Sequence, residues 1–325
     1  MRLIEKRPWK RIICFVLCAL VGTVLSSCKG MELENKTEQV EEYSREEAMI
    51  LVANERNRYQ NTYSQKIWEI RVNDSGDGFD RLVVQNVKGF LQEVKLLNML
   101  AEERGVQLSS QERDFVRQMT DEYYDSLTED DRTYIGCTRD DVQKMYTQYY
   151  IACKMTDIIT GASEAEISDS EVKVIKIMQI GTEDLKKAKA ILKKIKIDGA
   201  GFNSMASRYT ETDQIEIELR RGEKNDLIEK TAFLLDEGEV SNILCENGMY
   251  YIIMCTNGYD EEATLVRKER IRSAMQSLKY SEVMEPYRKE HNIVFFSRFW
   301  NEIEFDTDEG TSAEGFFDIY NNYRE

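Results

Sequence analysis

The chain has 325 residues, with 44 Lys plus Arg against 60 Asp plus Glu, a formal net charge of −16 and one histidine. That acidity argues against a nucleic-acid partner, whose phosphates are held by Lys and Arg. The single histidine, His291, argues against a His-based metal site and against a Ser-His or Cys-His catalytic pair.

Arg2, Lys6, Arg7, Lys10 and Arg11 precede an apolar run from Ile12 to Leu25. The run is shorter than the roughly 20 residues of a membrane-spanning helix and suits the core of a signal peptide. It ends in Leu25-Ser26-Ser27-Cys28, which resembles the lipobox of bacterial lipoproteins: an aliphatic residue, two small ones, then the cysteine that is lipidated. The expectation is a signal peptide over residues 1–27, a lipid on Cys28 and an acidic tether over 28–43. Location would then be the extracytoplasmic face of the cell membrane. Acyl chains must supply the attachment, because so acidic a chain is repelled by anionic lipid. Cys137, Cys153, Cys245 and Cys255 remain, with no CxxC spacing to suggest metal or redox chemistry, and buried free thiols are expected.

With only two prolines and 17 glycines, long helices are favoured over a many-turned β sandwich. Ser44 to Glu47 is a capping box opening a helix with Ala48, Leu51 and Val52 on one face. Asn73 to Gly78, NDSGDG, is a loop. Val83, Val87, Leu91, Val94, Leu97 and Ala101 recur at helical spacing, and Gly105 suits a C-cap. Ser109 to Glu112 is a second capping box, followed by Phe115, Met119 and Tyr123; Thr138 to Asp141 starts a further helix carrying Val142, Met145, Tyr149 and Ala152. These stripes are core positions, or else the lining of a tyrosine-rich groove for unfolded chains.

Near residue 168 the period changes. Val172 to Ile180, VKVIKIMQI, is β-branched and partly alternating, so it reads as a strand. Glu183 to Ile197 is a helix, Gly199 to Gly201 break it, and Phe202 to Tyr209 form a short second helix. Ile215 to Leu219 alternates as a strand, and Asp226 to Leu235 is a third helix. Then Asn247-Gly248 joins two apolar runs, a strong hairpin signal. The second run, Met249 to Cys255, is apolar enough to be covered on both faces.

This order resembles the parvulin-type peptidyl-prolyl isomerase domain. The resemblance rests on Phe202, Ala206, Tyr209 and Thr210, on Ala232, Phe233, Leu235, Gly238, Glu239, Val240 and Ser241, and on Tyr250, Ile252 and Ile253. The whole chain resembles the PrsA/SurA-like extracytoplasmic foldases. The fold expected is α+β. A helical chaperone-like domain of residues 44–168 is completed by 262–300, a small parvulin-like domain at 170–258 is inserted in it, and an acidic tail follows at 303–325.

The resemblance implies a lipid-anchored factor that helps newly exported polypeptides fold, acting without a cofactor on X–Pro bonds that isomerise unaided over roughly tens to hundreds of seconds. The family's site has two histidines flanking a Cys or Asp. Position by position, the first histidine falls on Lys176, the Cys or Asp on Thr212 and the last histidine on Tyr251, so all three are substituted. Ile228, Ala232 and Phe233 fall on the face that would line the proline pocket. The fold is therefore expected to persist while the chemistry is weakened or lost. The alternative is a non-enzymatic holdase or structural surface lipoprotein that uses the parvulin-like unit as a scaffold.

Overall fold

A computed structural model describes residues 40–72, 78–161, 167–224, 226–305 and 311–324. The signal segment, Cys28 and residues 73–77 of the expected loop lie outside them. The described residues form two compact units, one of residues 40–161 with 277–324 and one of residues 167–276.

The first unit is helical. Its α1 (Arg45–Tyr63) opens on the capping box read in the sequence, with Glu47 N donating to Ser44 Oγ at 3.1 Å and Ser44 N to Glu47 Oε2 at 3.0 Å. Met49 to Ala53 are buried without a polar side, so α1 is a central helix and not one with a single apolar stripe. Around it come α2 (Phe79–Glu103), α3 (Ser110–Ser126), α4 (Glu129–Ile135) and α5 (Arg139–Gly161). Of these, α2, α4 and α5 contact α1, and α3 closes on α5. The Ser109–Glu112 box caps α3 as read, and a third box, Thr128–Asp131, caps α4.

The stretch read from its charge as an acidic tail is, over residues 311–324, part of this core. Phe316 and Tyr320 of α12 (Phe316–Arg324, so labelled for its place in the chain) are 0% and 2% exposed. Phe316 stacks on Tyr146 at 4.2 Å and meets Tyr123 edge-on at 5.7 Å. Buried side chains also hold its main chain. Asp131 Oδ1 accepts from Ser312 N at 2.6 Å and Ala313 N at 3.0 Å, and Asn54 Oδ1 from Phe316 N at 3.0 Å. Asn57 Nδ2 donates to Ala313 O and Tyr146 OH to Phe316 O, each at 3.0 Å. Burial raises the Asp131 pKa, but the donors from Thr128, Ser312 and Ala313 outweigh it and hold the carboxyl below its ordinary range. Tyr123, Tyr146 and Tyr149 thus face the chain's own last residues and not an open groove.

The second unit is α+β. After a turn of helix, α6 (Asp169–Val172), come β1 (Val174–Thr182), α7 (Leu185–Lys196), α8 (Phe202–Tyr209), β2 (Glu216–Arg220), α9 (Leu227–Ala232), β3 (Leu244–Glu246) and β4 (Met249–Asn257). All strand pairs are antiparallel, in the order β2-β1-β4-β3. Asn247 and Gly248 have φ of 49° and 83°, the two positive values a type I′ hairpin turn requires. The β4 strand is covered on both faces. Ile252 joins Met178, Ile180, Ile191, Phe202 and Ala206 in one core, and Ile253 joins Ile175, Ile177, Leu219, Ala232 and Leu244 in the other. Ser241 of the Gly238–Ser241 motif accepts from Ile253 N through Oγ at 3.0 Å, so the segment is fastened to β4 by a side chain.

Next in the chain is α10 (Glu261–Glu290), shared between the units: residues 261–276 belong to the second and 277–290 to the first. The sequence reading placed the whole helix with the helical domain. Its first turns belong instead with β1, because Asp260 N donates to Val174 O at 2.9 Å and Val174 N to Thr264 Oγ1 at 3.1 Å. Later residues Tyr280, Met284 and Tyr287, with Ile293, Phe295 and Trp300 of α11 (Phe299–Glu302), enter the helical core. Cys137, Cys153 and Cys255 are buried free thiols, whereas Cys245, on the three-residue strand β3, is exposed.

Phe316→Ala removes a fully buried ring and is expected to cost about 3–5 kcal/mol of stability. Urea unfolding measures it, and a loss under about 1 kcal/mol would show that α12 is peripheral.

Candidate functional site

The candidate residues lie on the second unit, and β1 decides which of them meet. Successive side chains of a strand point to opposite faces. Tyr251 pairs with Gly181, so its face is the one presented by Gly181, Gln179, Ile177 and Ile175. This is the face packed by α9, and Ile228, Ala232, Phe233 and Tyr251 belong to one apolar cluster there. Ala232 is 1% exposed. Ile217, Ile228, Phe233, Leu235 and Tyr251 remain half-buried, so their apolar surface reaches solvent.

Thr212 comes to the same place. A Cβ at Gly181 would lie 2.5 Å from Thr212 Cγ2, 3.0 Å from Tyr251 Cε1 and 3.3 Å from Met249 Cε. Only a glycine lets these three side chains close over β1. Thr212 Oγ1 donates to Gln214 O at 3.0 Å and lies 2.8 Å from Thr210 Oγ1, which accepts from Gly181 N at 3.1 Å. The Tyr251 hydroxyl is 3.5 Å from Met249 Sδ, a weak acceptor.

Lys176 does not join them. It pairs with Glu218 across β1–β2 on the opposite face, and its Nζ is 2.6 Å from Asp260 Oδ2. The Asp260 carboxylate, through hydrogen bond and charge, raises the lysine's pKa and is itself lowered. The pair lies in a separate charged groove of about 540 Å³, shared with Arg220, Glu223 and Arg267. Asp260 is buried but the Lys176 side chain is half exposed, so solvent screens the pair and limits what it contributes to stability. Both face and distance keep Lys176 away: it lies on the other side of the sheet and five residues along β1 from Gly181, the partner of Tyr251, which is about 16 Å at roughly 3.3 Å per residue.

The β1 polar group that does share Tyr251's face is Gln179, which sequence reasoning missed. Its Nε2 donates to Gln214 O at 2.9 Å, the carbonyl that Thr212 also uses. Gln179, Thr210 and Thr212 therefore form a neutral network beside the apolar face. The period of two along VKVIKIMQI puts Gln179 and Lys176 on opposite faces, and the β1–β4 register decides which face meets Tyr251. The chain's one histidine belongs to the helical unit, where His291 Nε2 is 3.8 Å from Glu103 Oε1. Among the described residues no cluster of His, Cys, Asp or Glu could hold a metal ion.

What this arrangement can do is bind. It offers half-exposed apolar and aromatic surface to an apolar segment. It presents no histidine to polarise a twisted amide. Gly181→Ala tests the convergence: the added methyl should lower stability by about 1–3 kcal/mol. A fully stable Gly181→Ala protein would mean that the Thr212 segment stands off from β1.

No protein-family model matches the chain, and no curated protein matches it. Among solved structures it is similar to the foldase protein PrsA of Streptococcus pneumoniae, at 19% identity over 71% of this chain and 97% of that one, with a TM-score of 0.27. It is also similar to the peptidylprolyl isomerase PrsA of Bacillus anthracis, at 19% identity over 64% and 99%, TM-score 0.28. For PrsA of Bacillus subtilis the values are 16%, 77%, 97% and 0.26. Likenesses of this size carry neither a fold nor an activity across.

Proposed function

We propose that this chain is an exported, lipid-anchored protein-folding factor whose parvulin-like unit holds unfolded polypeptide segments and isomerises prolyl bonds weakly or not at all. One observation carries the reading. Ile228, Phe233 and Tyr251 form a half-exposed apolar cluster around the buried Ala232, while the polar groups beside it are Gln179, Thr210 and Thr212. Apolar contact is enough for capture, because burial of apolar surface is non-directional. Catalysis needs more, namely preorganised groups aimed at the charge that develops in the transition state. Losing one such group costs about 2.7–4 kcal/mol in other enzymes, or roughly two to three decades of rate.

On short prolyl peptides, isomerase activity should be at least about a hundredfold below that of a histidine-bearing parvulin. Suppression of aggregation of a heat-unfolded test protein should persist, and Tyr251→Phe should change neither. A protease-coupled prolyl assay and light scattering measure the two activities. Robust isomerisation that collapses in Tyr251→Phe would mean that tyrosine has taken over the histidine's role. Failure to suppress aggregation would leave the scaffold reading, a structural surface lipoprotein.

Membrane attachment is assigned to an acyl chain on Cys28, on the strength of the lipobox-like Leu25-Ser26-Ser27-Cys28. Among the described residues no helix is long and apolar enough to cross a membrane. In a high-salt wash, Cys28→Ser should move the protein from the membrane to the soluble fraction with its folded circular-dichroism spectrum unchanged. A variant that stays acylated and membrane-bound would refute the assignment.

A further inference from the structure

Helix α7 carries an uneven charge, opposite in sign to that of the chain. Its sequence, LKKAKAILKKIK, has six lysines and no acid, in a chain whose formal net charge is −16. The helix buries Ala188 and Ile191 in the unit's core, with Leu192 and Ile195 packed against it. What faces outward follows from the 3.6-residue period: Lys186, Lys189, Ala190 and Lys193 lie along the exposed meridian, all of them solvent-exposed.

Neighbouring groups leave that meridian uncompensated. Lys187 is paired with Glu211 at 2.6 Å, and Lys196 Nζ donates to Asn242 Oδ1 at 3.3 Å. Lys194 and Arg208 of α8 both sit over the Tyr209 ring, at 5.4 and 5.3 Å, which adds a further cation beside the helix. Lys186, Lys189 and Lys193 have no carboxylate partner among the described residues. The acids nearest in sequence, Glu183, Asp184 and Asp198, stand beyond the two ends.

A second observation distinguishes this face from a merely solvated one. Ile197, one residue past the helix and on the same meridian, is 73% exposed. Lysines with projecting apolar side chains are the chemistry of a surface that meets lipid headgroups, cations pairing with phosphate while apolar groups enter the boundary.

We propose that α7 is a docking face for anionic phospholipid, which sets the α+β unit against the membrane surface. The inference rests on the membrane-anchored location proposed above. The chain's overall acidity, which repels it from anionic lipid at a distance, is screened at contact. Charges beyond a Debye length of about 8 Å at physiological salt are largely screened, so a membrane in contact with α7 meets a local cationic field. An acyl anchor and a cationic face together form the two-signal attachment that stabilises membrane binding.

The test uses the processed chain from residue 28 with Cys28→Ser, so that no acyl chain contributes, and vesicles of phosphatidylglycerol or of phosphatidylcholine. Sedimentation should show binding to phosphatidylglycerol alone, lost at high salt. The triple variant Lys186→Gln, Lys189→Gln, Lys193→Gln should lower the partition coefficient about a hundredfold, at roughly fivefold per lysine. Ile197→Ser should weaken vesicle binding several-fold while leaving any binding to polyglutamate unchanged. Equal binding to both vesicles, or no change in the triple variant, overturns the proposal. So does an equal effect of Ile197→Ser on polyglutamate, which would assign the face to acidic polypeptides. If the acylated protein fractionates with membranes yet the triple variant binds vesicles normally, the anchor stands and only the α7 face is refuted.

Discussion

The central strand β1 is the constraint on which the α+β unit depends. It is paired on both edges, to β2 and β4, and covered on both faces. A strand in that position has no free parity. Met178 and Ile180 must meet α7 and α8, and Ile175 and Ile177 must meet α9, so every other residue's face is fixed with them. Gly181 follows as a glycine because Thr212, Tyr251 and Met249 close over it. Lys176 follows as a surface residue because its face, at that end of the strand, belongs to Glu218 and Asp260.

The chemistry of the candidate site is set by what replaces charge there. Gln179 and Thr212 converge on the carbonyl of Gln214, and Thr210 links Thr212 to the amide of Gly181. Each partner is neutral and each bond is used internally, so the network fixes the loop over β1. A network satisfied within itself rigidifies its surroundings, and it leaves little to redirect at a substrate amide. The apolar side chains beside it are not used up in this way. Ile228, Phe233 and Tyr251 keep part of their surface in water, which is the condition for binding another apolar segment.

The helical unit shows the same economy with polar groups in its core. Asn54, Asn57 and Asp131 are each at most 2% exposed, and an unpaired polar group at such depth is costly. All three engage the backbone of residues 312–316. The aromatic residues follow suit, with Tyr123, Tyr146 and Tyr149 packed on Phe316. A stretch that looks acidic by composition is therefore a structural element, because Phe316, Ile319 and Tyr320 fall on its buried side.

Local chemistry was legible in the sequence wherever it acts over a few residues. The two capping boxes, the Asn247-Gly248 turn and the two-faced burial of Met249 to Cys255 all rest on short-range geometry, and the structure contains each of them. The apolar face was legible too, since Ile228, Ala232 and Phe233 share a helix side that must be buried somewhere. Three things waited for tertiary structure. Which β1 side chains join Tyr251 depends on a register between Gly181 and Tyr251, 70 residues apart, and no local pattern measures it. The burial of α1 on every side depends on how many neighbours surround it, which periodicity within one helix does not encode. The fate of the last residues depends on Asn54, Asn57 and Asp131, which lie 181 or more positions away in the chain. Sequence spacing fixes which side chains share a face, and only packing between distant segments decides what that face meets.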